Sequence, residues 1–355
     1  MKPFRSQRRR SAAGFTIVEL LVALAISLLI LTALVTLFVN QSVARVELDK
    51  GSRQIENGRY ALQVLTDDVR HAGYYGPLIN PPDAPGVMPD PCSTATANVS
   101  AGIGLPIQAY AGAVADPTPS DCLLGYKSDT AVLVIRRACT AATCVFAAGD
   151  FNIQVSGCEG DSAPYIVGTT SGAFTLHKRT SSSVKCTSPL STAIAADIFP
   201  LFIRIYYVTT CSNQANCTAA GADTVPTLRR LDIKPAGAVC ASGSTGLGAG
   251  NTSPCLTPLV DGIEELQFDF GRDTDDNGSP DTYTATATPP TSVGDWSEVM
   301  AVRAHLLARN IDASGSYADV KTYTLGDLDF TPGGAFKRHA YSELARLNNP
   351  AGRKD

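Results

Sequence analysis

Charge is scarce in this chain of 355 residues: Asp, Glu, Lys and Arg make up 17%, against roughly 25% in an average soluble protein. Basic residues are fewer still beyond the start. Lys2, Arg5, Arg8, Arg9 and Arg10 sit in the first 14 residues with no acid, which leaves 24 basic against 33 acidic residues, a balance of −9. A general basic surface for nucleic acid is thereby excluded, and no direct nucleic-acid contact is expected. The four histidines, His71, His177, His305 and His339, are scattered without H-E-x-x-H or a similar ligand spacing, which removes the usual zinc signatures. Gly243-Ser244-Thr245-Gly246 is not G-x-S-x-G, so no nucleophile elbow is present. Gly246, Gly248 and Gly250 follow no apolar strand and read as a flexible loop rather than a phosphate cradle. Glu264 and Glu265 alternate along a strand and point apart. Nothing here argues for an enzyme. What is present is an ordinary apolar share of 44%, enough to build a core. Ten cysteines without a C-x-x-C fit disulfides in an oxidising compartment.

Residues 15–39 read FTIVELLVALAISLLILTALVTLFV, with the single charge Glu19. As a helix this run is about 37 Å long, enough to span a bilayer with some tilt. The basic stretch before it predicts a cytoplasmic N-terminus and export of the remainder. A secretory signal peptide needs an apolar core of only about 7–15 residues, so the run is too long for one. A plain signal anchor does not explain Glu19, because a carboxylate in hydrocarbon costs about 2.5–3.5 kcal/mol and asks for a partner. Cleavage after Ala12-Ala13-Gly14 would leave Phe15 as the new N-terminus, one helical turn from Glu19. The freed amine, or that of a neighbouring subunit, is a natural counter-charge. Glycine before the cut suits a peptidase that needs close backbone approach.

Gly14-Phe15-Thr16-Ile17-Val18-Glu19-Leu20, opening a long apolar run after a basic leader, resembles the type IV prepilin cleavage motif. The resemblance implies cleavage after Gly14 by a prepilin peptidase, N-methylation of Phe15, and packing of the helix into a filament core with Glu19 setting its register. The helical pattern continues through Val43, Val46, Ile55, Leu62, Leu65 and Val69 to a C-cap at Gly73, with Gly51 and Gly58 as points of local bending. Glu56–Leu62, Asp67–Arg70 and Ala72–Gly76 are similar to the helix end of PilW-type minor pilins, relatives of the J-type pseudopilins of type II secretion. Leu259–Gly271 (LVDGIEELQFDFG), and Asp295-Trp296 followed by Val299–Arg309, resemble the same family. The stretch Lys337–Asp355 is assigned no role.

Beyond Pro77 the chain is rich in Pro, Gly, Ala, Ser and Thr, with strand-like runs at Thr130–Arg136, Leu201–Thr209, Ile263–Phe270 and Val299–Arg309. Weaker strand candidates are Asp150–Val155, Gly172–Lys178 and Thr227–Ile233, and residues 80–120 and 236–258 read as long loops. The expected fold is α+β: a long N-terminal helix, membrane-spanning and then amphipathic, packed on antiparallel β-sheets in a pilin-like manner with disulfide-stapled loops. The expected divisions are a cleaved leader over 1–14, a transmembrane and polymerisation helix over 15–39, its amphipathic continuation over 40–73, and an exported β-rich domain over 74–355.

Pairing the cysteines locally, two by two in chain order, would give Cys92–Cys122, Cys139–Cys144, Cys158–Cys186, Cys211–Cys217 and Cys240–Cys255. The sequence does not choose among the many connectivities, although Cys139–Cys144 and Cys211–Cys217 each close a short loop. One constellation is chemically pointed. Asp273, Asp275, Asn277, Gly278, Ser279 and Asp281 follow the D-x-[DN]-x-[DN]-G pattern of a calcium loop. Thr284 stands where an EF-hand needs its bidentate Glu, so the alternatives are a weak calcium site and a solvated acidic turn. The only cofactor suggested is Ca²⁺.

The resemblance implies a minor pilin that helps prime and cap type IV pilus assembly in a tip complex, supporting twitching motility and adhesion. Its implied partners are other minor pilins, the major pilin, the prepilin peptidase and a PilY-type tip adhesin. It would wait in the inner membrane, with the C-terminal domain periplasmic, before reaching the pilus tip and cell surface. A J-type pseudopilin of type II secretion is the closest alternative. A membrane-anchored calcium-binding adhesin or an exported enzyme is a more distant one.

Overall fold

The computed structural model describes residues 14–76, 84–111, 122–141, 143–179, 186, 194–285, 289–315 and 317–354. Residues 1–13 of the expected basic leader (1–14) and parts of the expected loop at 80–120 lie outside the described residues. The chain divides into two units, residues 1–50 and 51–355. In chain order the first elements are α1 (Ile17–His71), α2 (Thr96–Ala101), β1 (Ile107–Tyr110), β2 (Val132–Ala138), β3 (Asn152–Val155), β4 (Tyr165–Gly168), β5 (His177–Lys178) and β6 (Ile194–Ala195). Then come β7 (Ile198–Thr209), β8 (Thr227–Ile233), β9 (Thr245–Gly248), β10 (Thr252–Asp261), β11 (Ile263–Arg272) and β12 (Thr282–Ala285). The last are α3 (Val293–Ser297), β13 (Val299–Arg309), β14 (Tyr323–Leu325), β15 (Leu328–Phe330), β16 (Arg338–Arg346) and α4 (Asn348–Ala351).

In the first unit, every residue of α1 from Ile17 to Val46 is exposed, including Leu28, Leu29 and Phe38. It is the one described helix long and apolar enough to cross a membrane. Its few hydroxyls bond back within the helix: Ser27 Oγ donates to Ala23 O at 2.7 Å, Thr32 to Leu28 O at 2.8 Å and Thr36 to Thr32 O at 2.7 Å. Such groups therefore need no water.

In the second unit, the larger sheet runs β1-β2-β7-β8-β10-β9, with β3 joining both β4 and the first half of β7. Its strands are antiparallel, and strand β2 is covered on both faces. Leu133 and Ile135 of β2 face the core that holds Ala61, Leu62, Leu65 and Val69 of α1, while Val132 and Val134 face a second core with Val99, Ile103 and Phe151. Burial on both sides is why β2 reads as a continuous apolar run instead of alternating. The smaller sheet runs β12-β11-β13-β16. Leu266, Phe268 and Phe270 of β11, with Val302, Ala304 and Leu306 of β13, join the α1 core.

The carboxyl half of α1 is fixed by polar contacts as well as apolar ones. Gln54 Nε2 donates to Ala308 O at 2.7 Å and Asn57 Nδ2 to Asp261 O at 3.0 Å. At Gly58 a Cβ would strike the Tyr341 ring, so this glycine admits close packing of the helix on β16. The helix stops at Gly73, whose φ of 72° is a conformation that favours glycine, and the Gly73 N–H donates to Arg136 O at 3.0 Å.

Buried Asp68 is the densest polar junction on this helix. Its Oδ1 accepts from Arg137 Nε of β2 at 2.7 Å and from Arg204 of β7 at 2.8 Å, and its Oδ2 accepts from the Tyr206 hydroxyl at 2.6 Å. Phe202 stacks against both guanidinium groups, at 5.4 and 4.8 Å. Burial pushes the Asp68 carboxyl up, but Arg204, Arg137 and Tyr206 together outweigh it and hold the group below its ordinary range. A depressed native pKa gives stability that is full above the unfolded value, near 3.9, and is lost as pH falls below it. Asp68→Asn is expected to cost about 1–3 kcal/mol near neutral pH, because it takes the carboxylate from the half-buried Arg137 and leaves Arg204 with Asp232 alone, at 3.3 Å. It should also flatten the acid limb of a plot of unfolding free energy against pH. An acid limb unchanged by the substitution would refute this assignment.

Candidate functional site

Gly14, Phe15 and Thr16 precede the first turn of α1, so the Gly14–Phe15 peptide lies outside the helical hydrogen-bond ladder. Gly14 is exposed, and a Cβ there would meet nothing within 4 Å. Thr16 and Glu19 form a reciprocal cap. The Thr16 N–H and hydroxyl donate to Glu19 Oε2 at 3.0 and 2.9 Å, and the Glu19 N–H donates to Thr16 Oγ1 at 3.3 Å. This is the capping box of a T-x-x-E sequence. It gives the lone charge of the apolar run a partner within its own chain. The T-x-x-E spacing that signals such a cap is present in the sequence at Thr16–Glu19. Phe15, 88% exposed, stands one residue before the cap, so an amine freed there would lie one turn from Glu19.

The acidic turn, residues 273–281, closes the β11–β12 hairpin, in which Arg272 faces Thr282. Asp273 is buried at the base of the turn. Its Oδ1 accepts the Asn277 N–H at 3.1 Å and its Oδ2 the Gly278 N–H at 2.9 Å. Asp281 Oδ2 accepts the Thr274 N–H at 2.7 Å and hydroxyl at 2.8 Å, which hold its carboxyl below the ordinary range. Carboxylate oxygens of Asp273, Asp275 and Asp281 lie within 4.8 Å of one another. The other two expected ligands serve the turn itself: Asn277 Oδ1 accepts the Ser279 N–H at 2.8 Å, and Asn277 Nδ2 donates to Asp275 Oδ2 at 2.9 Å. Thr284 sits on β12 opposite Phe270. Lys354 brings a positive charge of its own, with Nζ 3.3 Å from Asp273 Oδ2 and 2.5 Å from Asp276 Oδ1.

That lysine ends a segment the sequence left without a role. Asn349 Nδ2 donates to Ala72 O at 3.2 Å, Arg353 to Gly73 O at 3.4 Å, and Arg346 to Gly278 O at 3.1 Å. The segment thus satisfies carbonyls at the end of α1 and secures the acidic turn. Elsewhere, His305 links three strands of the smaller sheet, with Nδ1 2.7 Å from Ser342 Oγ and Nε2 3.0 Å from Asp269 Oδ2. The cysteines pair as Cys92–Cys122, Cys139–Cys144, Cys158–Cys186, Cys211–Cys217 and Cys240–Cys255, with Cα separations between 5.0 and 6.0 Å.

Residues 205–349 match the family described as Type IV Pilus-assembly protein W, and residues 9–35 match the prokaryotic N-terminal methylation motif. No curated protein matches. A solved type IV-like pilin from Thermus thermophilus is similar over 84% of this chain and 98% of its own, at 12% identity and a TM-score of 0.34. The PilW match runs from the middle of β7 into α4, and the methylation motif spans the leader junction and the first turns of α1. A PilW-type region in the carboxyl-terminal half and a methylation-type motif at the start of the apolar helix together support a resemblance to the PilW-type minor pilins.

Proposed function

We propose that this minor pilin helps to prime and cap type IV pilus assembly as part of a tip complex with other minor pilins, and so supports twitching motility and adhesion. The observation that carries the reading is the exposed apolar length of α1, opened by the Gly14–Phe15 peptide and the capped Glu19. On this reading the prepilin peptidase cuts after Gly14 and Phe15 is N-methylated. The helix then waits in the inner membrane, with the β-rich domain in the periplasm. Other minor pilins and the major pilin cover the helix on assembly, and a PilY-type adhesin is presented at the tip. Cysteines paired in the exported domain suit the oxidising side of the membrane.

Counting surface pili in a clean deletion strain tests the reading. Loss of pili, restored by the gene, is expected. Normal pili with failed export of a secreted protein would instead place the chain in type II secretion.

Glu19 separates helix capping from subunit pairing. Glu19→Gln keeps a capping-box partner but removes the charge, whereas Glu19→Ala removes both. Both variants are expected to be cleaved normally and to lose co-purification of the other minor pilins. Unchanged co-purification with either variant would overturn the charge-pairing role.

The calcium reading of the acidic turn is favoured by its three converging carboxylates and opposed by Lys354. Wild-type affinity on the order of 10⁻⁴–10⁻³ M is expected for such an open, Glu-less loop. Lys354→Gln should bind more tightly, because its ammonium no longer competes for Asp273. Calorimetry showing no heat with either protein would dismiss calcium.

A further inference from the structure

The acidic turn holds a side chain whose own reactivity neither assembly nor cation binding uses. Asn277 is exposed and is followed by Gly278. In an Asn-Gly pair the next backbone nitrogen can reach the side-chain amide carbon, because glycine puts no Cβ in the way. Here Asn277 Oδ1 accepts the Ser279 N–H at 2.8 Å, which folds the amide back along the Gly278 peptide.

Two contacts oppose the reaction. The Gly278 N–H donates to the buried Asp273 carboxylate at 2.9 Å. Loss of that proton would set an amide anion against a carboxylate and forfeit a charge-assisted hydrogen bond. The Asn277 amide nitrogen, which would depart, is tied to Asp275 Oδ2 at 2.9 Å.

We propose that Asn277–Gly278 is a latent site of intramolecular deamidation, held closed by Asp273 and opened when the acidic turn loosens. The Gly278 nitrogen gives its proton to a solvent base and bonds to Asn277 Cγ. The Cγ–Nδ2 bond then breaks, and the nitrogen takes a proton from water and leaves as ammonia. Water adds to either carbonyl of the resulting succinimide, leaving aspartate or isoaspartate at position 277 with no oxidant or cofactor required. The product replaces the donor that faced Asp275 with a negative charge, so a turn that has reacted repels itself where it had been joined. Deamidation thereby records, irreversibly, that the turn has opened.

The test follows conversion at position 277 by peptide mass spectrometry in the full-length chain in detergent at mildly alkaline pH. Folded wild type, urea-unfolded wild type and folded Asp273→Ala are compared, with Asn277→Gln as the unreactive control. Folded wild type is expected to convert at least roughly tenfold more slowly than the unfolded chain, and Asp273→Ala faster than folded wild type. Equal rates in folded and unfolded wild type, or no conversion in urea, would overturn the proposal. If Asp273→Ala does not fold, the wild-type comparison decides alone.

Discussion

One carboxylate on one helix organises the second unit. Asp68 is buried on α1 and meets guanidinium groups from two adjacent strands together with a tyrosine hydroxyl from one of them. Apolar packing by Ala61, Leu62, Leu65 and Val69 supplies the affinity of the helix for the sheets but tolerates sliding, because it has no direction. The two arginines and the tyrosine tolerate neither a one-residue slip nor a small rotation, since either leaves buried charge unpaired. The same junction ties α1 to β2 and β7, the two strands that pair at the centre of the larger sheet.

The sequence was most informative where burial is one-sided or complete. β13 and β8 have the bounds their patterns predict, and Phe268 and Phe270 of β11 join the α1 core as the alternation predicts, although the opposite face is covered too, with Glu265 and Gln267 buried. It was least informative between 236 and 258, where the expected loop contains β9 and much of β10. β9 is Thr-Gly-Leu-Gly, with little propensity of its own, and β10 carries Pro254 and Pro258, which ordinarily argue against a strand. Register shifts fall next to both prolines, between Thr252 and Cys255 and between Pro258 and Val260, so irregular pairing accommodates them. Within 80–120, α2 and β1 are too short to show a period. The expected strand at 172–178 is a turn of 3-10 helix followed by the two residues of β5. β16 escaped notice because, as an edge strand, it is largely polar and only Ala345 is fully buried.

At the candidate site, residue types and spacing were legible, but side-chain partners were not. The Gly14–Phe15 junction stands out because it opens the apolar run, and Glu19 because it is the run's one charge, whereas the Thr16 cap needs the helix start to be located within a residue. In the acidic turn the spacing of Asp273, Asp275 and Asp281 predicted their convergence. The lysine that joins them comes from 73 residues beyond Asp281, at Lys354. No local pattern announces a contact of that range.

The disulfides have a consequence for how the chain matures. Each of the five joins one cysteine to the very next in the sequence, and the loops they close span between 5 and 30 residues. A domain threaded into an oxidising space in chain order, behind a helix that stays in the membrane, would present its thiols in that same order. An oxidase acting on each new pair as it appears would therefore write the native map in a single pass, with no crossed bridge left for an isomerase to undo.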